Sequence, residues 1–202
     1  LFGREAGPIL PVLLVIAFAV GISIVQDSVQ SRRRRRPVVE GELTHLRLMG
    51  RRDAPAFAAT IDADVVAENR WAPNVRGDFI RAVESGALAT TYAICERRTG
   101  AIVGAISLTS ADKGEADLGL WIGVDNRGRG YASDALTALV RLMRNAEYTS
   151  VTASTAETNS VMQSVLRHAG FVEKVRYEHQ FPNGEVVPAI KFDHQLDVAE
   201  RL

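Results

Sequence analysis

The chain has 202 residues, 47% of them hydrophobic and 24% charged, and its 24 basic and 24 acidic side chains cancel to a formal net charge of zero. That is ordinary material for a globular domain, and it lacks the strong positive charge of a protein whose main partner is nucleic acid. A lone cysteine, Cys95, excludes an intrachain disulfide and suits a reducing compartment.

The chain divides into two parts, 1–37 and 38–202. Positions 1–37 hold six of the basic side chains, Arg4 and Arg32 to Arg36, against Glu5 and Asp27, so they carry +4 and leave −4 on the remainder. Within them the run Pro8 to Val25 contains no charge over 18 positions. At about 1.5 Å per residue an α-helix of that length reaches roughly 27 Å, enough for the hydrocarbon core of a bilayer. The arginines that follow resemble a stop-transfer flank, which would hold everything after Arg36 in the cytoplasm. The expectation is a transmembrane anchor at 8–25, with an extended gene start ahead of the domain as its alternative.

From Glu42 onward strand and helix patterns alternate. Leu43 to Leu48 reads as a strand, and Asp53 to Ile61 as a helix with Asp53 at its N-cap and Pro55 in its first turn. A loop with Trp71 and Pro73 precedes a second helix, Gly77 to Gly86, closed by glycine. Thr90 to Ser110 reads as two strands joined by Arg98-Thr99-Gly100, with Cys95 a buried thiol in the first. The strand Glu115 to Val124 leads into Asn126-Arg127-Gly128-Arg129-Gly130, and a helix follows at once with Ala132, Leu136, Leu139, Val140 and Met143 on one face. Thr149 to Ala156 is a strand, Asn159 to Phe171 a helix with an Asn cap and a Gly170 stop, and the last part is a hairpin turning at Pro182-Asn183-Gly184.

The glycine–arginine turn carries most of the functional signal. A helix N-terminus presents unpaired N–H groups and partial positive charge, glycines allow a ligand to approach the backbone, and Arg127 and Arg129 add cationic groups. A simple tight turn with two solvated arginines is the bland alternative. The Gly-Lys-Ser/Thr ending of a nucleotide P-loop is missing, and Gly128-x-Gly130-x-x-Ser133 departs from the dinucleotide fingerprint at its third position. In the preceding strand Leu118, Leu120, Ile122 and Val124 alternate with Asp117, Gly119, Trp121 and Gly123. Two glycines on one face suggest an extended ligand lying along the backbone, or else a bulge or close packing.

These residues resemble the GNAT superfamily of acetyl-CoA-dependent N-acetyltransferases. Its phosphate motif, Arg/Gln-x-x-Gly-x-Gly/Ala, is matched by Arg127-Gly-Arg-Gly130-Tyr-Ala132, and the Rim-type branch of ribosomal-protein alanine N-acetyltransferases is similar in Ala116 to Trp121 and in the helix from Asn159 to Gly170-Phe171. The resemblance covers about Leu43 to Leu196. It implies a mixed α/β fold with a central twisted, mostly antiparallel sheet flanked by helices and splayed at a bulge near Val124. It implies acetyl-CoA as co-substrate, with its pantetheine arm along Ile122, Gly123 and Val124, its pyrophosphate on the amides of Arg127, Gly128, Arg129, Gly130, Tyr131 and Ala132, and Asn159 holding the arm. The acceptor would be an amine, on a protein N-terminus or a small molecule, deprotonated by Asp117 or, second, Glu157. The branch has serine three residues after the helix asparagine, where this chain has Met162, so Tyr131, Tyr148, Tyr177 or solvent would protonate the thiolate. A non-catalytic acyl-CoA-binding module is the alternative. The four histidines, His45, His168, His179 and His194, lack metal-ligand spacing and read as structural or surface groups. Loops around Trp71 and at Pro182-Asn183-Gly184 would select the acceptor.

Overall fold

The computed structural model describes residues 39–87, 90–110, 114–144 and 148–196; the apolar run at 8–25 and the arginines at 32–36 lie outside the described residues. Among the described residues no helix is long and apolar enough to cross a membrane.

Eight strands form one sheet: β1 (Val39–Glu40), β2 (Thr44–Leu48), β3 (Thr91–Glu96), β4 (Ile102–Ser110), β5 (Glu115–Ile122), β6 (Ser150–Ala156), β7 (Val172–Gln180) and β8 (Val186–Gln195), in the order β1-β2-β3-β4-β5-β6-β8-β7. Every neighbouring pair is antiparallel except β5 and β6. A parallel pair needs a crossover, which here carries α4 (Tyr131–Met143). Helices α1 (Ala54–Ala59), α2 (Ala63–Glu68) and α3 (Val75–Ser85) lie between β2 and β3, and α5 (Ser160–His168) follows β6.

The alternation in β5 sorts the two layers. Leu118, Leu120 and Ile122 enter the larger core with Leu136, Leu139 and Met143 of α4, Leu166 of α5 and Phe192 of β8. Trp121 points the other way, into a second core with Phe57, Ile61 and Val65, and its indole Nε1 donates to Thr60 Oγ1 at 3.3 Å. Trp71 packs edge-to-face on Trp121, with ring centroids 5.1 Å apart, as part of this aromatic core.

The parallel contact is short. Glu115, Ala116 and Asp117 pair with Ser150, Val151 and Thr152, and there the ladder stops. Beyond it β5 stays with β4 as far as Ile122 opposite Gly104, while β6 stays with β8 as far as Ala156 opposite Ala189. The sheet therefore opens into a V whose apex is the pair Asp117–Thr152.

Several local expectations change. Strand β5 runs in unbroken register against β4 and ends at Ile122, so the splay arises without a bulge there; register shifts fall instead at Ile94/Cys95 and Glu173/Val175. Val124 starts a 3-10 turn, Val124–Asn126, rather than ending the strand. A Cβ on Gly123 would come within 3.1 Å of Thr60 Cα, so at this glycine close packing by the end of α1 replaces the expected ligand. Asp53 precedes α1 but does not cap it: its carboxylate takes both terminal nitrogens of Arg47 at 2.7 Å and the amide of Gly50 at 2.7 Å. Helix α2, read as loop, is capped by Asp62, whose Oδ1 accepts from Val65 N at 2.8 Å.

Candidate active site

The turn before α4 is built as its composition dictates. Gly128 and Gly130 have φ of 71° and 80°, left-handed values that any side chain would strain, and Gly130 is the residue at the helix N-cap. The first bond of the helical ladder is Asp134 N to Gly130 O at 3.1 Å, so the amides of Tyr131, Ala132 and Ser133 come before it and face the helix mouth. Arg129 is exposed beside them. Arg127 turns inward: its Nε donates to the carbonyl of Ile122 at 3.1 Å and its terminal nitrogen meets Glu68 at 2.7 Å.

The backbone of Ile122 to Val124 is thus already engaged. Ile122 O accepts from Arg127, Gly123 N donates to Val103 O at 3.0 Å, and Val124 N donates to Asp62 Oδ2 at 3.2 Å. Two carboxylates, Asp62 and Glu68, bracket α2 and fasten it to the end of β5 and to the phosphate-type turn.

A cleft fills the V between β5 and β6. Leu118, Gly119 and Leu120 of β5 and Ala153 to Ala156 of β6 line it, together with Asn159, Met162, Glu68, Asn69 and Phe181. A second concavity lies between α4 and α5, bordered by Ser133, Val161 and Val165. The two loops expected to select the acceptor touch: Asn183 N donates to Arg70 O at 2.9 Å, Arg70 pairs with Glu185 at 3.2 Å, and its guanidinium lies 5.4 Å from the Phe181 ring centroid.

Asp117 stands at the apex of the V, and Thr152 Oγ1 donates to its Oδ1 at 3.0 Å. One side of the residue is open to solvent, yet protein crowds the carboxyl group. Burial raises its pKa and outweighs the opposing effects of Thr152, Lys191 and His179. Glu157 is placed differently: its carboxylate is paired with Arg176 at 3.1 Å, and it is not among the residues that line the cleft. Asn159 lines the cleft, and its Oδ1 caps α5 by accepting from Met162 N at 3.0 Å.

The tyrosines separate clearly. Tyr131 hydroxyl donates to Glu96 Oε1 at 2.7 Å, on the β3–β4 side, so its side chain fastens α4 to that hairpin. Tyr148 packs against the larger core. Tyr177 alone of the three reaches the cleft wall, through a 2.8 Å bond to Ser154 Oγ. Sequence reasoning missed Ser154, Asp62 and Glu68; the Asx cap Asp62-Ala-Asp-Val65 is the one local signal that could have flagged α2. Among the described residues no three His, Cys, Asp or Glu side chains converge as metal ligands would.

Compared with known proteins, residues 44–172 match the model of the acetyltransferase (GNAT) domain. No curated protein matches. Among solved structures, an acetyltransferase of the GNAT family from Bacillus anthracis is 16% identical with a TM-score of 0.68, covering 79% of this chain and 98% of its own. RimL, a ribosomal L7/L12 alpha-N-protein acetyltransferase in complex with coenzyme A, is 16% identical with a TM-score of 0.67, covering 80% and 99%. A ribosomal-protein-S5-alanine acetyltransferase from Vibrio fischeri is 18% identical with a TM-score of 0.63, covering 80% and 97%. At these identities the structures show a shared fold.

Proposed function

The chain belongs to the acetyltransferase (GNAT) family, and from that premise we propose that it moves the acetyl group of acetyl-CoA to a primary amine by direct attack in a ternary complex. The observation that carries this reading is the open V between β5 and β6, whose crossover helix α4 begins at a glycine-loosened turn. An extended acyl thioester fits the V, and a diphosphate fits amides that precede the helical ladder. Two of the similar structures bear names of ribosomal-protein acetyltransferases, which supports a protein N-terminus as acceptor over a small amine.

The chemistry needs an unprotonated amine. An α-amine has a pKa of about 8 and a lysine about 10.4, so a base must take a proton before attack on the thioester carbon. Asp117, raised by burial at the apex, is the carboxylate positioned for that task; Glu157, tied to Arg176, is the weaker choice. The coenzyme arm would use Ile122 to Val124 after Arg127 and Asp62 yield their bonds, with Asn159 beside it. The cytoplasmic side expected from the arginine run belongs to this reading, with Pro8 to Val25 as tether.

Met162 favours a second reading, a non-catalytic acyl-CoA-binding module, because it puts a thioether in the cleft lining where a hydroxyl is expected. The full chain, given acetyl-CoA, a panel of free N-terminal peptides and small amines, and a thiol-detecting dye, separates the two. Amine-dependent thiol release supports the transferase; coenzyme binding without release across the panel supports the module. In either case Gly130→Asp should abolish coenzyme binding, because it sets an anion at the helix mouth, at a folding cost of about 1–2 kcal/mol for the left-handed position. Unchanged affinity would remove the basis of both readings.

A further inference from the structure

We propose that Ser154, Tyr177 and His179 form a proton relay that enters the cleft at Ser154, giving the transfer an acid–base route from the sheet rather than from helix α5. The inference rests on the acetyltransferase reading above. Ser154 lies in β6 on the cleft wall, where Met162 supplies no hydroxyl and Tyr131 is committed to Glu96. The alternation of β7 puts Tyr177 and His179 on one face, opposite Ala189 and Val187 of β8. Tyr177 hydroxyl is 2.8 Å from Ser154 Oγ and 3.2 Å from His179 Nδ1, so the three groups make an unbroken chain of hydrogen-bond distances. The His179 ring is held edge-on against Phe181, centroids 4.6 Å apart, and Phe181 itself lines the cleft.

The groups around His179 are Tyr177 from its own strand, Phe181 just past the end of that strand, Asp117 from β5 with Lys191 of β8 acting on that carboxylate, and Arg70 over the Phe181 ring. Burial lowers the His179 pKa and outweighs the opposing pull of Asp117, so the imidazole is neutral at pH 7 and can receive a proton.

The protons balance in two passes. First, Asp117 takes one proton from the ammonium of the acceptor, and the free amine forms the C–N bond at the thioester carbonyl. The positively charged nitrogen of the tetrahedral adduct then gives its second proton to Ser154 Oγ as the serine proton moves to Tyr177 oxygen and the phenolic proton to His179 Nδ1. As the adduct collapses, the C–S bond breaks with its electron pair on sulfur, the same chain runs backward to protonate the thiolate, and His179 returns to neutral. The first amine proton leaves Asp117 for solvent. Ser154 is the group that meets the substrate; Tyr177 and His179 are positioning residues acting through it.

The test uses the full chain with acetyl-CoA and the panel amine that the unmodified protein turns over fastest. Tyr177→Phe should lower kcat by at least about tenfold with KM for acetyl-CoA within about twofold, because a general acid–base contribution is lost while binding is kept. Ser154→Ala should do the same, and it carries the test if Tyr177→Phe fails to fold; Ser154→Thr should restore most of the rate. His179→Gln should flatten the acidic limb of the kcat–pH profile, which a purely structural role would leave in place. Undiminished kcat in both hydroxyl deletions, with turnover in the unmodified protein, overturns the relay alone. No turnover in the unmodified protein overturns the transferase reading and the relay together.

Discussion

The guanidinium of Arg127 meets the carboxylate of Glu68 at 2.7 Å, so the arginine of the phosphate-type turn is held by an anion from the protein itself. Arg127 also donates to Ile122 O, and Asp62, at the other end of α2, takes the amide of Val124. A single short helix therefore engages the same groups that are proposed above to hold an acyl-coenzyme.

Glu68→Gln should accordingly tighten coenzyme A binding. Both partners are partly exposed, with side-chain exposures of 32% and 54%, and such a pair contributes at most about 1 kcal/mol, which limits the gain to roughly fivefold in Kd. Calorimetric titration of the full chain at low and moderate salt checks it. The gain should shrink as salt screens the pair. A weaker Kd in the variant would mean that Glu68 holds Arg127 in the binding posture rather than away from it.

Asp134 does a different job from the one that its position suggests. It sits in the first turn of α4, where a carboxylate would repel a bound phosphate, but it turns to the β1–β2 turn. It accepts from Glu42 N at 2.7 Å, Leu43 N at 3.1 Å, Thr44 N at 2.8 Å and Thr44 Oγ1 at 2.6 Å. Gly41 must lack a side chain for this, since a Cβ there would stand 2.2 Å from Asp134 Oδ2. Burial alone would raise the pKa of Asp134; the Thr44 hydroxyl and the turn amides outweigh it and hold the group below the ordinary carboxylate value.

Asp134→Ala should therefore cost about 2–3 kcal/mol, because hydrogen bonds to a charged acceptor are lost and the amide of buried Thr44 is left unpaired. The sign of the pH effect follows from the depressed folded pKa. The contribution is fully present above the unfolded value of about 3.9 and disappears as pH falls through the lower folded value. In urea melts the gap between the unmodified protein and Asp134→Asn should stay constant from pH 7 to about 5 and narrow below about 4. Gly41→Ala should be equally damaging and add little to Asp134→Asn, since both act on one contact.

What was legible in the sequence was local. Period-2 alternation placed Leu118, Leu120 and Ile122 in one core, and Asn159 announced the start of α5. The glycines at 128 and 130 adopt the positive φ that their position implied. What was not legible depends on which strands end up side by side. Ser154 and Tyr177 are 23 residues apart, and only the β6–β8–β7 pairing brings their hydroxyls together. Asp62 and Val124 meet only because α2 folds across the end of β5. Helix α2 itself, six residues with a weak apolar stripe, lies below the length at which periodicity distinguishes helix from loop.

Asp117 supplies the last test, because its two consequences run in opposite directions. Burial raises its folded pKa above the unfolded value, so the folded chain binds the extra proton and stability falls as pH rises from the unfolded pKa through the folded one. At neutral pH the ionised carboxylate therefore costs stability, the reverse of Asp134. Asp117→Asn removes the charge and leaves an amide oxygen to accept from Thr152 Oγ1. The variant should melt at a higher temperature than the unmodified protein at pH 7, and this difference should shrink as pH falls through the raised folded pKa toward the unfolded value of about 3.9. If the carboxylate is the base, kcat should fall by at least about tenfold over the same range in which stability rises. Calorimetric melts at pH 4, 5.5 and 7 set against kcat for the fastest panel amine decide it: a higher melting temperature with undiminished kcat would leave Asp117 a strained apex residue and pass the role of base to His179.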